Sequence, residues 1–282
     1  PHHDYQRRLA TFDTWLTREL GIDYPVMAGA MQWLSKSQLA AAVCNAGGLG
    51  TIAAARFFNA AEHRDEIRQL KLLTSRPFAV NFTLMPTRRP IVWEDYINAA
   101  LEEGTPVIET SGRSPEPYMP WLKAAGVKII HKASRVRDAL TAQRIGVDAV
   151  VIVGYEAGGH PGIDEVGTMV QLPAVLNALS IPVIAAGGFA DGRGLAAALG
   201  GGAQGIVMGT RFMASEECPA HSRVKQLIVD TPANGTMIIE RSIRNAARVV
   251  RTAYSEEILE REMAGATLEE LIPLVAGERI DR

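Results

Sequence analysis

A single histidine stands in the stretch Gly154-Tyr155-Glu156-Ala157-Gly158-Gly159-His160-Pro161-Gly162. Imidazole titrates near neutral pH, so it can take a proton from a substrate and return it. The surrounding glycines permit backbone shapes closed to other residues and let a ligand approach the main chain. The stretch follows an unbroken apolar run over 149–153, which reads as a strand buried on both faces, as in a parallel sheet. A buried strand that ends in glycines and a histidine is how many α/β enzymes present a catalytic base. A tight loop carrying a surface histidine has the same composition. Glu156 reads as a solvated loop carboxylate, with orientation of His160 as the alternative.

Two more glycine groups follow apolar runs: Gly187-Gly188 after 182–186, and Gly209-Thr210 after 204–208. Their exposed N–H groups, with the positive end of a helix starting near Asp191, make a phosphate cradle. The competing use of these glycines is close packing of helix on strand. Asp191 itself reads as an N-cap. Asn81 is a polar residue ending a buried strand, placed to bond either a ligand or a neighbouring loop. Lys132 ends another strand beside His131, where it holds negative charge on a ligand or is simply solvated. Met27, Met31, Phe82 and Met85 suit either the core or a wall against an apolar ring. His63, His131 and His221 have no context that points to chemistry.

These residues need a scaffold that brings strand ends together. After a lead-in helix over 4–20, apolar runs alternate with helical patterns: strands over 24–28, 49–52, 77–82, 105–109, 127–131, 148–153, 182–186 and 204–208. Ser35 is the expected cap of the helix running to Ala46. Eight strands alternating with helices predict an α/β fold, a (β/α)8 TIM barrel, over a doubly wound open sheet. No Gly-x-Gly-x-x-Gly follows the first strand, where the chain reads Met27-Ala28-Gly29-Ala30-Met31. The barrel is expected over 1–213. Residues 214–282 are richer in charge and read as a helical C-terminal segment packing at the barrel mouth.

The composition, 47% hydrophobic and 21% charged over 282 residues with net charge −2, is that of an ordinary globular protein. No basic stripe suggests nucleic acid. Cys44 and Cys218 make neither a metal-ligand spacing nor a disulfide framework. No apolar run approaches the roughly 18 residues of a membrane span. The expectation is a cytoplasmic protein with no metal, no nucleic-acid partner and no membrane partner.

In combination and order, several segments resemble the nitronate monooxygenases, also known as 2-nitropropane dioxygenases. They are Pro25-Val26-Met27-Ala28-Gly29-Ala30-Met31, Ala46-Gly47-Gly48-Leu49-Gly50, Val80-Asn81-Phe82, His131-Lys132 and Glu156-Ala157-Gly158-Gly159-His160-Pro161-Gly162. With them go Pro182-Val183-Ile184-Ala185-Ala186-Gly187-Gly188-Phe189-Ala190-Asp191-Gly192 and Met208-Gly209-Thr210-Arg211-Phe212. The resemblance implies an FMN cofactor with its phosphate at Gly187, Gly188, Gly209 and Thr210. It implies Met27 and Ala28 near the isoalloxazine, Asn81 and Lys132 on the cofactor, and His160 as the catalytic histidine. The N–H groups of Gly158 and Gly159 would help bind an anion. The implied reaction is oxidation of alkyl nitronates or nitroalkanes by dioxygen, His160 being the general base; a homodimer is compatible with it. The same scaffold is similar to flavin-dependent enoyl-thioester reductases that use NAD(P)H. A phosphate-ligand binding barrel without turnover is the reading from another class.

Overall fold

The computed structural model describes residues 12–85, 90–162 and 164–275. Eight parallel strands run in the order β1-β8-β7-β6-β5-β4-β3-β2. They are β1 (Val26–Ala28), β2 (Gly50–Ala53), β3 (Phe78–Leu84), β4 (Val107–Gly112), β5 (Lys128–Ala133), β6 (Ala149–Val153), β7 (Val183–Ala186) and β8 (Ile206–Met208). The ends of the list meet. Ala28 N donates to Leu49 O, and Leu49 N donates to Val26 O, both at 2.9 Å, which closes the sheet into a (β/α)8 barrel.

Alternation along each strand divides its side chains between two cores. Met27, Leu49, Ala79, Val107, Ile130, Ala149, Val151, Ile184 and Val207 fill the barrel interior. Phe78, Val80, Phe82, Ile108, Ile129, Val150, Ile152 and Val183 face outward against the surrounding helices. A short helix, α1 (Trp15–Leu20), is started by a Thr14–Thr17 capping box. It drives Leu16 and Leu20 into the interior cluster. The rest of the expected lead-in helix, over 4–11, lies outside the described residues. The cap expected at Ser35 is not formed: the helix Ser37–Asn45 has Lys36 at its N-cap with no side-chain bond. Ser35 Oγ instead accepts from Met31 N at 2.8 Å, bracing the loop after β1.

The C-terminal segment differs from the all-helical expectation. An antiparallel pair, β9 (Thr236–Ile239) and β10 (Ala247–Val250), precedes two helices, α2 (Ala253–Met263) and α3 (Leu268–Val275). Met237, Ile239 and Ala247 bury against Ile258 and Leu271 in a core of their own. The two strands are short, and the charged connection over 240–246 lacks the two-residue Asn-Gly type of turn that marks a hairpin in sequence. Among the described residues no helix is long and apolar enough to cross a membrane.

Candidate active site at the barrel mouth

Strand alternation decides where adjacent residues point. His131 and Lys132 are neighbours in β5, so they face opposite sides of the sheet. His131 is buried, with Nδ1 2.8 Å from Thr110 Oγ1, and burial lowers its pKa to about 4. Lys132 faces the interior. There Nζ lies 3.1 Å from Oε1 of Glu109, a fully buried carboxylate. Asn81 Nδ2 donates to Glu109 Oε2 at 2.8 Å, and Asn81 Oδ1 accepts from Thr83 Oγ1 at 2.8 Å. Asn81 does not end its strand, because β3 continues to Leu84. Asn81, Glu109 and Lys132 thus form a polar layer above the apolar interior. In sequence Glu109 is one residue of the strand expected over 105–109. Its sequence signal is an acidic residue following the apolar Pro106-Val107-Ile108.

Met27 is fully buried in the barrel interior, and Phe82 lies on the helix side of β3. Neither side chain is exposed for a ligand to contact. Ala28 is buried at the end of β1. Of the remaining wall candidates, Met85 is exposed.

The three glycine groups converge. Gly187 and Gly188 hold φ values of +102° and +82°, which residues with side chains rarely adopt. A Cβ at Gly187 would stand 3.1 Å from Ala157 N, and one at Gly158 would stand 2.9 Å from Thr210 Oγ1. A Cβ at Gly209 would meet nothing within 4 Å. Among the described residues no acceptor is bonded by the N–H groups of Gly188, Gly209 or Thr210. Open space lined by free N–H groups fits a phosphate. One part of the expected cradle is already occupied. The carboxylate of Asp191 accepts from the N–H groups of Arg193 and Gly194 at the start of the helix Gly192–Gly200. Its bond to the Arg193 side chain is the main cause of a pKa lowered to about 2.

The loop carrying His160 is held by the C-terminal segment. Gly159 N donates to Arg248 O at 3.1 Å and Arg248 N donates to Gly159 O at 2.6 Å. The Gly159 N–H, expected to help bind an anion, is therefore spent on the backbone of β10. The Arg248 guanidinium donates to Tyr155 O at 2.8 Å and lies over the Tyr155 ring at 4.8 Å. His160 Nε2 stands 3.1 Å from Asn245 Oδ1. Asn245 carries no sequence signal, since it lies in the connection between two short strands. Among the described residues Glu156 makes no hydrogen bond or ion pair with His160. Its Oε2 accepts from Thr168 N at 2.9 Å, capping the helix Thr168–Ala178.

The family model for nitronate monooxygenases matches residues 13–279. A probable nitronate monooxygenase of Staphylococcus aureus (strain Newman) is 34% identical over 287 aligned positions, spanning 88% of this chain and 81% of that protein. The solved structure of FabK from Thermotoga maritima superposes with a TM-score of 0.88 at 37% identity, covering 95% of this chain and 83% of that one. A nitroalkane oxidase from Streptomyces ansochromogenes superposes with a TM-score of 0.77 at 28% identity, covering 87% of this chain and 81% of that one. The barrel, its glycine-lined mouth and these likenesses define a flavin-dependent oxidoreductase acting on a small molecule. The chain belongs to the nitronate monooxygenase family.

Proposed function

We propose that this protein oxidises alkyl nitronates, and the nitroalkanes that give rise to them, with dioxygen and FMN, and that His160 is its general base. The observation that carries the reading is the setting of His160. It stands on the glycine loop after β6, with Nε2 tied to Asn245 and no partner on Nδ1 among the described residues. A nitroalkane is a carbon acid whose conjugate base places charge on the nitro oxygens. A neutral imidazole nitrogen about 3 Å from the α-carbon can take that proton.

When bound, the flavin supplies the electron acceptor. Gly187, Gly188, Gly209 and Thr210 would hold its phosphate. Asn81 and Lys132 would meet it from the polar layer, the end of β1 at Ala28 would border its ring with Met27 packed in the interior beneath, and Gly158 would add a backbone N–H. Preference for FMN over FAD follows from a cradle for one phosphate and the absence of a dinucleotide fingerprint after β1. In this reading residues 1–213 hold the cofactor and residues 214–282 close the mouth.

A second reading is NAD(P)H-dependent reduction of an enoyl thioester. The higher superposition on FabK than on the nitroalkane oxidase favours it, alongside the sequence resemblance to such reductases. The deciding experiment is the anaerobic visible spectrum of the purified protein with a nitronate and with NAD(P)H added separately. Bleaching of the flavin by nitronate, with oxygen consumption in air, is the expected result. Bleaching by NAD(P)H alone, with turnover of an enoyl thioester, would leave only the second reading.

A further inference from the structure

The bonds around His160 select one of its nitrogens. We infer that Asn245 is a positioning residue that locks His160 with its proton on Nε2, leaving Nδ1 as the nitrogen that takes the substrate proton. The inference deepens the proposed function and rests on it for the use made of Nδ1.

A side-chain amide has a donor end and an acceptor end. Asn245 Nδ2 donates to Glu240 Oε2 at 2.5 Å. That bond turns Oδ1 toward His160, 3.1 Å from Nε2. A carbonyl oxygen only accepts, so Nε2 must carry the hydrogen, and the neutral ring then has its lone pair on Nδ1.

The amide is itself held. Asn245 N donates to Glu240 O at 3.1 Å, closing the turn between β9 and β10. Glu240 sits at φ +64°, a conformation uncommon outside glycine, and such backbone persists where its surroundings over-determine it. The surroundings here are Glu262 on helix α2. Its Oε2 accepts from Glu240 N at 2.8 Å and its Oε1 from Ser242 N at 2.5 Å. The reciprocal bonds between Gly159 and Arg248 join the two loops close to both His160 and Asn245. The chain Glu262–turn–Glu240–Asn245–His160 therefore fixes a tautomer from a segment distant in sequence.

Glu240 is the charged group coupled to the imidazole; Glu262 stands behind it, bonded to the turn, and the Arg248 guanidinium is turned to Tyr155. Burial pushes the Glu240 carboxyl up, while its bond to Asn245 and the nearby His160 oppose the shift. In the proposed step the α-carbon–hydrogen bond breaks and its electron pair stays on the substrate as the nitronate. The proton goes to Nδ1. The imidazolium so formed is steadied by Asn245 Oδ1, whose amide is backed by the Glu240 carboxylate.

The test is ¹⁵N NMR of the flavin-loaded protein labelled at histidine, without substrate. The expected spectrum has His160 with a protonated Nε2 and a bare Nδ1 in its neutral form. Asn245→Asp keeps an acceptor and adds a negative charge, so it should retain the tautomer. Asn245→Leu should give a mixture of tautomers. A wild-type spectrum with the proton on Nδ1 would overturn the inference. So would a mixture of tautomers in Asn245→Asp, a result available even where Asn245→Leu fails to fold. The measurement needs no turnover. An Nε2–H tautomer in a protein that does not react with nitroalkanes would therefore remove the base role and keep Asn245 as the lock.

Discussion

Lys132 and Glu109 form an ion pair within the barrel. Nζ lies 3.1 Å from Oε1, the glutamate side chain is fully buried, and the lysine side chain is 17% exposed. Oε1 has no hydrogen bond of good alignment among the described residues, so the contact is chiefly electrostatic. A cation expected to stand free beside a ligand is thus already matched by a carboxylate that also holds Asn81.

This pairing makes Lys132 and Glu109 opposite levers on a bound flavin. Glu109→Gln unmasks the ammonium and should make the flavin easier to reduce, raising its midpoint potential. Lys132→Met should lower the potential. Removing one partner of a buried pair typically costs about 3–5 kcal/mol, so Lys132→Met should also lower the melting temperature. Potentiometric titration with thermal melts checks both. Equal potentials in wild type and Glu109→Gln would place the pair away from the flavin.

The cradle is best probed at Gly209. Gly187 and Gly188 have positive φ, so any side chain there strains the backbone and confuses loss of binding with loss of fold. Gly209 has φ −110° as the N-cap of the helix Thr210–Met213, and its Cβ direction is open. Gly209→Asp should fold normally, since aspartate is a favoured N-cap, yet repel a phosphate. Flavin content measured by absorbance should fall steeply in Gly209→Asp and stay near wild type in Gly209→Ala. Yellow protein of unchanged affinity would move the phosphate elsewhere.

His160→Asn separates proton transfer from binding. The variant keeps a polar end but cannot act as a base near neutral pH. Loss of a general base typically costs about 10²–10⁴-fold. That loss is expected with the neutral nitroalkane, and a considerably smaller one with the preformed nitronate. Stopped-flow flavin reduction under anaerobic conditions gives the four rates. Equal losses on both forms would make His160 a binding residue.

Two buried histidines outside the site predict an acid-side loss of stability. His63 stacks on Tyr96 with ring centroids 5.6 Å apart. Burial lowers the pKa of His63 and of His131 to about 4. Their unfolded values lie near 6.5, so between these limits the unfolded chain binds more protons. Stability is complete above about pH 6.5 and falls as pH drops toward about 4, by roughly 3 kcal/mol per histidine. Urea midpoints at pH 7 and pH 5 should differ clearly in wild type and less in His63→Phe. An unchanged difference in that variant would assign the acid loss to other groups.

Much of this protein is written locally. The run 149–153 is apolar at every position, which leaves a doubly buried strand as its stable use. Seven further short runs, mainly apolar though several carry a polar residue such as Asn81 or Glu109, alternate with helical patterns and define the barrel without any knowledge of contacts. Glycine after the seventh and eighth strands marks a mouth where backbone is exposed, and His160 is marked by its isolation among glycines. The hidden part is what depends on residues far apart in the chain. That His131 points outward and Lys132 inward was decided by the alternation of a strand whose two sides became distinguishable only when the sheet closed. Glu109 became the partner of Lys132 because β4 and β5 lie side by side with Glu109 opposite Ile130. Asn245 meets His160 across 85 residues of sequence. A hydrogen bond at that separation has no periodic trace, because it is set by how the hairpin packs on the glycine loop, and only the folded chain holds that geometry.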